Sequence, residues 1–135
     1  MMATLSKSEN KKNNENGFER QVQKTVTEEL KRYKALKVAM QNKNELKAAG
    51  IDVLFPSIVK LEQSDKEKEL KIQQIERVLY EVLDDIERRI IEDKYLKLKP
   101  VKDPELFYDL GLSKNQFYDK KRQALNQIAQ ALRII

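Results

Sequence analysis

The chain has 135 residues, of which 36% are charged, and its formal net charge is +5. This length suits one domain, or a small domain with an extension, and no run approaches the roughly 20 apolar residues of a membrane span. Cysteine and histidine are both absent, which excludes disulfides, thiol nucleophiles, zinc fingers and histidine bases. We therefore expect a cytoplasmic protein that is not an enzyme and has no catalytic residues, no metal site and no cofactor.

The N-terminal region divides into a polar tail and a long helix. Residues 1–17 are rich in Asn and Lys, which predicts a disordered tail. From Phe18 to Met40, apolar residues recur every three or four positions, a spacing typical of an amphipathic helix. The predicted helix, 18–49, stops at Gly50. Its narrow apolar stripe must be buried against the C-terminal domain, against a second copy in a homo-oligomer, or against another protein.

An apolar connector separates this helix from the predicted C-terminal domain. The connector, 50–63, is interrupted by Pro56 and is expected to be irregular, with its side chains folded onto its own domain. The domain, 64–135, is predicted to contain four helices. Ser64 begins the first, because Glu67 stands three residues later as in a capping box.

Two more helix starts are predicted within this domain. Asp84 with Glu87 repeats the capping-box pattern, so we expect a bend and a new helix there. Asp103 is a suitable N-cap, and Pro104 suits the first helical position. Asp93 is expected on an ordinary helix surface. These starts give an all-α fold with a long N-terminal helix and four shorter ones.

The last two helices are predicted to meet at a glycine corner. Residues 109–125, DLGLSKNQFYDKKRQAL, place Gly111 where a left-handed backbone is needed. Ser113 and Gln116 then form a capping-box pattern at the start of helix 114–132. A short helix, a corner and a polar second helix satisfy the requirements of a helix-turn-helix, whose second helix lies in the major groove. A plain helical hairpin would instead leave the same charges in water.

Helical periodicity sorts the polar residues of helix 114–132. With Phe117 inward, several amide, carboxylate and basic side chains lie outward or at the helix tip. Such groups hydrogen-bond base edges, whereas a helix start suits a phosphate. Lys120 and Lys121 lie nearer the flanks and suit the DNA backbone. The predicted DNA-binding residues are Ser113, Lys114, Asn115, Gln116, Tyr118, Asp119, Lys121 and Arg122.

The charge distribution agrees with a DNA-facing C-terminus. Residues 94–135 hold nine Lys or Arg and four Asp or Glu, whereas residues 61–93 hold six and eleven. A basic segment of this kind is a candidate phosphate-facing surface, or simply a solvated helix face.

Two stretches, VLYEVLDDIERRIIEDKYL and DLGLSKNQFYDKKRQALNQIAQAL, resemble the ArpU family of phage transcriptional regulators. They are similar, more distantly, to region 4 of bacterial sigma factors. The resemblance covers about residues 65–135, and YKALKVAMQNKNELKAAGI and LFPSI look like the N-terminal part of the family with less specificity. It implies a regulator of phage or prophage genes, often late genes, in a bacterial host. Its implied partners are double-stranded DNA and, as a further candidate, RNA polymerase.

Three residues depart from the pattern of these proteins. Phe107 stands where a helix-turn-helix usually has a small residue, which predicts a wider corner or a different packing partner. Lys120 replaces an apolar residue, which predicts less burial in that part of the last helix. Asp119 replaces a basic residue, so reading of the cytosine amino group competes with phosphate contact as its role.

Two alternatives to a transcriptional regulator remain open. A phage small terminase subunit, which packages DNA, also pairs a helix-turn-helix with oligomerising helices. A protein-interaction module would use the acidic helices of 61–93 or the stripe of helix 18–49, and the corner would then be structural.

Overall fold

The computed structural model describes residues 2–51, 54–55 and 65–135, with side chains from residue 17 onward. Every regular element within these ranges is helical, which confirms the predicted all-α fold. The α-helices are α1 (Met2–Ala48), α2 (Asp65–Arg77), α3 (Asp85–Ile91), α4 (Asp103–Asp109) and α5 (Lys114–Ala131). None of the described helices is both long enough and apolar enough to cross a membrane. Apart from Gly17, the predicted disordered tail, 1–17, falls on residues whose side chains lie outside this description, and the tail stays a prediction.

One face of α1 packs against the C-terminal helices. Four residues of its predicted stripe are buried: Val22, Val26, Leu30 and Tyr33. The Tyr33 hydroxyl donates to the Glu76 carboxylate of α2 at 3.1 Å, and burial together with this carboxylate raises the pKa of Tyr33. The chain itself therefore covers the middle of the stripe, from Val22 to Tyr33, whereas Phe18 is 65% exposed. A homo-oligomer formed through this helix would have to use the parts of the stripe on either side.

Gly50 ends α1 as predicted. Its φ is +76°, a left-handed value that glycine adopts without steric cost. The Gly50 N–H donates to the Lys47 carbonyl at 3.0 Å, and the Ile51 N–H donates to the Leu46 carbonyl at 2.8 Å. This pair of bonds is the Schellman motif, which satisfies the last carbonyls of a helix.

The connector after α1 is described at few positions. Most of 50–63 and the predicted cap Ser64 lie outside the described residues. Leu54 and Phe55 are described, and both are exposed. Both line a cavity together with residues of α1 and α2, and the expected folding of the connector onto its own domain stays a prediction.

The chain bends between α2 and α3 as predicted. A π-helical turn, Val78–Val82, extends α2, and the Leu83 N–H donates to the Val78 carbonyl at 3.1 Å. The Asp84 carboxylate then accepts the Glu87 N–H at 2.7 Å, and the Glu87 carboxylate accepts the Asp84 N–H at 3.0 Å. This reciprocal pair confirms the predicted capping box at the start of α3.

A second π-helical turn, Glu92–Leu96, extends α3, with the Lys97 N–H donating to the Glu92 carbonyl at 2.9 Å. Asp93 in this turn is 5% exposed, so the expected surface position is wrong. Its carboxylate lies 2.9 Å from the Lys97 ammonium and 3.5 Å from the Arg89 guanidinium. These two cations compensate a buried negative charge that would otherwise be costly.

Two apolar clusters fill the interior. The main cluster contains Val22, Val26, Leu30, Tyr33, Ile75, Val78, Leu79, Leu83, Ile91, Ala124, Leu125, Ile128 and Ala129. The corner cluster contains Ile90, Leu106 and Phe117. The C-terminal half of α5 therefore packs in the main cluster, and Phe117 alone of its N-terminal half is buried.

Candidate nucleic-acid interface

Gly111 forms the corner between α4 and α5, with φ at +69°. The Gly111 N–H donates to the Tyr108 carbonyl at 3.1 Å, and the Leu112 N–H donates to the Phe107 carbonyl at 2.9 Å. This is again a Schellman motif, and it confirms the predicted end of α4. Leu112 packs, half-buried, against the corner cluster. The two helices are thereby joined through the short turn 110–113.

The start of α4 contradicts the prediction that Asp103 is its N-cap. Lys102 occupies that position without a side-chain cap, and Asp103 is the first helical residue. The Asp103 carboxylate lies 2.6 Å from the Lys94 ammonium and accepts from the Tyr118 hydroxyl at 3.2 Å. Burial opposes its charge, but Lys94, Lys121 and Tyr118 outweigh burial and lower the pKa of Asp103. The Asp103 carboxylate is thus bound by residues of other helical segments and does not cap α4.

Phe107 packs on the buried aromatic residue of α5. The ring centroids of Phe107 and Phe117 are 5.8 Å apart, with their planes inclined by 51°. The ring of Tyr118 meets Phe117 edge-on, with centroids 5.4 Å apart. Such inclined contacts are favourable for aromatic rings. The different packing partner that Phe107 implied is therefore Phe117.

Ser113 and Gln116 form the predicted capping box at the start of α5. The Ser113 hydroxyl accepts the Gln116 N–H at 3.2 Å, and the Gln116 side-chain oxygen accepts the Ser113 N–H at 2.9 Å. Both residues are also predicted DNA contacts. With those oxygens engaged in the cap, the Ser113 O–H and the Gln116 NH₂ remain as donors. Their available chemistry therefore suits phosphate oxygens or base acceptors.

Lys114 and Asn115 stand exposed in the first turn of α5. Neither side chain has a hydrogen-bond or ion-pair partner in the described part of the chain. These two predicted DNA contacts can therefore bind a ligand without breaking an existing interaction.

Asp119 and Arg122 are exposed and interact with each other. The Arg122 guanidinium donates to the Asp119 carboxylate at 3.1 Å and lies 3.8 Å from the Glu19 carboxylate of α1. An exposed pair one turn apart on a helix contributes about 0.3–0.5 kcal/mol. Either group can therefore exchange this partner for a ligand at small cost.

Tyr118 and Lys121 lie on the flank of α5 that faces α4 and α1. The Tyr118 hydroxyl is bound to Asp103, although its ring is partly exposed. The Lys121 ammonium lies 5.9 Å from the centroid of the Tyr95 ring and 6.0 Å from that of Tyr118. This position agrees with the predicted flank location of Lys121, whose charge stays near the outer surface.

Lys120 takes part in polar contacts that join α5 to α3. Its ammonium lies 2.9 Å from the Asp84 carboxylate, and this hydrogen bond raises the pKa of Lys120. Burial opposes the charge of Asp84, but hydrogen bonds from Glu87 and Lys120 outweigh it and lower the pKa of Asp84. Gln127 donates to the buried Glu87 carboxylate. Lys120 thus forms an ion pair in the part of α5 where reduced burial was predicted.

The structure adds residues to this surface that sequence reasoning missed. Gln123 is exposed on α5, and the same helical periodicity places it about 120° from Phe117, so it could have been found. Glu19 and Arg20 of α1 lie beside α5 in space. No local pattern signals this neighbourhood, because it depends on the packing of distant helices.

Comparison of the chain with protein-family models, with curated proteins and with solved structures gave no match in any of the three.

Proposed function

We propose that this chain is a sequence-specific DNA-binding transcriptional regulator that places the N-terminal half of α5 in the major groove. The observation that carries the proposal is the division of α5 into an anchored half and a presented half. Phe117 fixes the first two turns to the corner cluster, while Lys114 and Asn115 stand exposed at the tip. A recognition helix uses the same division, with its N-terminal residues at the base edges.

The exposed side chains supply the chemistry of base reading. An Asn pairs with adenine through two hydrogen bonds, and a Lys or Arg donates to guanine. Asn115 and Lys114 offer these groups, and Asp119 can accept from the amino group of cytosine. Arg122 and Lys121 stand further along the helix and towards its flank, where contacts to phosphates fix orientation.

The resemblance of residues 65–135 to the ArpU family supports a more specific role, the regulation of phage or prophage genes. The excess of positive charge at 94–135 favours a polyanionic partner. A cytoplasmic location in the bacterial host, with RNA polymerase as a further partner, follows from the same proposal.

An exposed apolar groove favours a second candidate function, binding of another protein. The groove lies between α1 and the two π-helical turns and has a volume of about 410 Å³. Val38, Tyr80 and Leu98 line it, and Leu98 is 88% exposed. Exposed apolar residues in a groove are typical of interaction sites. This candidate is compatible with DNA binding at α5.

The proposal is tested by DNA selection followed by affinity measurement. The purified chain is used to select fragments from random duplex DNA, and the enriched sequence is labelled for fluorescence anisotropy at fixed salt. We expect Lys114→Ala combined with Asn115→Ala to weaken binding by about 5- to 150-fold, because one good base contact is worth about 1–3 kcal/mol. Circular dichroism should show unchanged helical content.

A matched control is Lys66→Ala combined with Gln73→Ala, which removes the same two chemical groups from exposed positions of α2. Its affinity should equal that of the wild type. Failure to enrich any sequence, or equal affinities for both double variants, would refute the proposal. A mass in light scattering equal to that of a ring would instead favour the DNA-packaging alternative.

A further inference from the structure

We propose that Glu19 and Arg20 of α1 are part of the same DNA-binding surface, with Arg20 contacting a phosphate and Glu19 weakening the interaction. This inference rests on the proposed function, and it extends the interface to a helix outside the helix-turn-helix. It assigns opposite effects to two adjacent residues of α1, and the same charge changes elsewhere on this helix separate it from a general effect of charge.

The placement of Glu19 and Arg20 is fixed by apolar packing immediately after them. Val22 of α1 is buried in the main cluster, as are Leu125 and Ala129 of α5. A helix rises about 1.5 Å per residue, so Glu19 and Arg20 lie less than one turn from this anchor. Glu19 and Arg20 are therefore held beside α5.

A groove of about 390 Å³ lies between the two helices. Its walls come from α1 and mainly from the N-terminal half of α5, including four of the predicted DNA contacts on the outer and flanking faces. The lining residues are Glu19, Arg20, Gln23, Tyr118, Asp119, Lys121, Arg122 and Leu125. A DNA strand that borders the major groove occupied by α5 would run past this edge of the helix.

The charged side chains of the groove differ in whether they already have a partner. Arg122 is engaged by two carboxylates, Asp119 at 3.1 Å and Glu19 at 3.8 Å. Glu19 also accepts from the Gln23 amide at 3.4 Å. Arg20 is exposed and has no ion-pair or hydrogen-bond partner among the side chains described from residue 17 onward. Its guanidinium is therefore available to a phosphate, for which it supplies a planar set of donors.

The Glu19 carboxylate acts against the same phosphate in two ways. It repels the phosphate directly, and it competes with the phosphate for the Arg122 guanidinium. Removing its charge should thus strengthen DNA binding, whereas removing the charge of Arg20 should weaken it. A purely structural role for the contact between Glu19 and Arg122 predicts the reverse for Glu19, because losing the contact would loosen α1.

The test measures the affinity of the full chain for the selected DNA by fluorescence anisotropy over a range of salt concentrations. We expect Arg20→Gln to weaken binding by about three- to tenfold and to reduce the slope of log affinity against log salt by about 1. Glu19→Gln should strengthen binding by about two- to fivefold, the range set by exposed charge pairs. Thermal unfolding of both variants should remain close to that of the wild type.

Two control variants carry the same charge changes elsewhere on α1. Lys31→Gln and Glu45→Gln remove one charge each from exposed positions outside the groove, and each should leave affinity within about twofold. If Arg20→Gln and Glu19→Gln behave like these controls while Lys114→Ala with Asn115→Ala weakens binding, this inference is wrong and the proposed function stands. If the wild type selects no DNA, both are wrong.

Discussion

The main cluster and the corner cluster differ in how they are built and in what they leave exposed. The main cluster contains residues from α1, α2, α3 and α5, so each side chain contributes only a small part of its buried apolar contacts. The corner cluster has three fully buried members, Ile90, Leu106 and Phe117, each from a different helix. It is completed by half-buried neighbours such as Phe107 and Leu112.

This difference shows how one helix can be both anchored and available. The C-terminal half of α5 lies in a shared core, where the loss of one contact leaves many others. The N-terminal half is attached chiefly through Phe117, which leaves the remaining sides of its first two turns to solvent and to flank contacts. A presented surface therefore depends on a small number of corner residues, and these residues can be tested individually.

The largest effect is expected from Phe117→Ala, which should lower the free energy of unfolding by about 3–5 kcal/mol. If the corner depends on this ring, amide exchange in α4 should accelerate far more than exchange in α1. Leu30→Ala, in the main cluster, is the comparison, with an expected loss of about 2–5 kcal/mol. Equal acceleration in α1 and α4 for both variants would show that the two clusters act as one unit.

A smaller effect is expected at the corner glycine. Gly111→Ala should cost about 1–2 kcal/mol, because its φ of +69° is strained for a residue with a Cβ although no atom lies within 4 Å of that Cβ. Gly17→Ala, within α1, also meets no atom within 4 Å, and there the change should stabilise by about 0.5–1 kcal/mol. Urea unfolding of both variants measures the contrast, and a loss at both positions would contradict the backbone explanation.

The smallest effect concerns the polar contact between α3 and α5. Asp84→Asn keeps a capping side chain but removes the ion pair with Lys120, and it should cost about 0.2–1 kcal/mol at neutral pH. Asp84→Ala removes the cap as well and should cost about 0.5–2 kcal/mol. Urea unfolding at pH 7 should rank the wild type above Asp84→Asn and Asp84→Ala last.

The pH dependence of this contact has a defined sign. Because folding lowers the pKa of Asp84, its stabilisation is present above the unfolded-state value of about 3.9 and is lost as pH falls from there through the folded-state pKa. Asp84→Asn should therefore flatten the curve of stability against pH in this acidic window. Curves for the wild type and this variant that stay parallel below pH 4 would contradict the argument.

Short sequence patterns predicted where the helices begin and end better than they predicted which charged side chains are buried. The capping boxes at Asp84 and Ser113 and the glycine stops at Gly50 and Gly111 depend on a few neighbouring residues, so the sequence reveals them directly. Asp103 also carries a capping signal, but Lys94 and Tyr118 from other helices bind its carboxylate.

At the candidate site as well, contacts between residues far apart in the sequence could not be predicted. The outward residues of α5 follow from helical periodicity, as Lys114 and Asn115 illustrate. The contact of Glu19 with Arg122 joins residues about a hundred positions apart and has no periodic signature. Regular helical spacing from Ile86 and Ile90 already places Asp93 on the apolar face, so its burial was missed because a charged side chain was expected at the surface.

The two π-helical turns have a consequence for the register of the whole chain. Each contains one residue more than an α-helical turn. Relative to a regular α-helix, this rotates the residues that come next by about 100° about the helix axis. Val78 and Leu83 are five positions apart, yet both are buried in the main cluster. Deleting one residue from Val78–Val82 would restore regular hydrogen bonding while turning Leu83, and the cap at Asp84, away from their present partners. The orientation of the corner relative to α1 thus depends on the number of residues in this one turn.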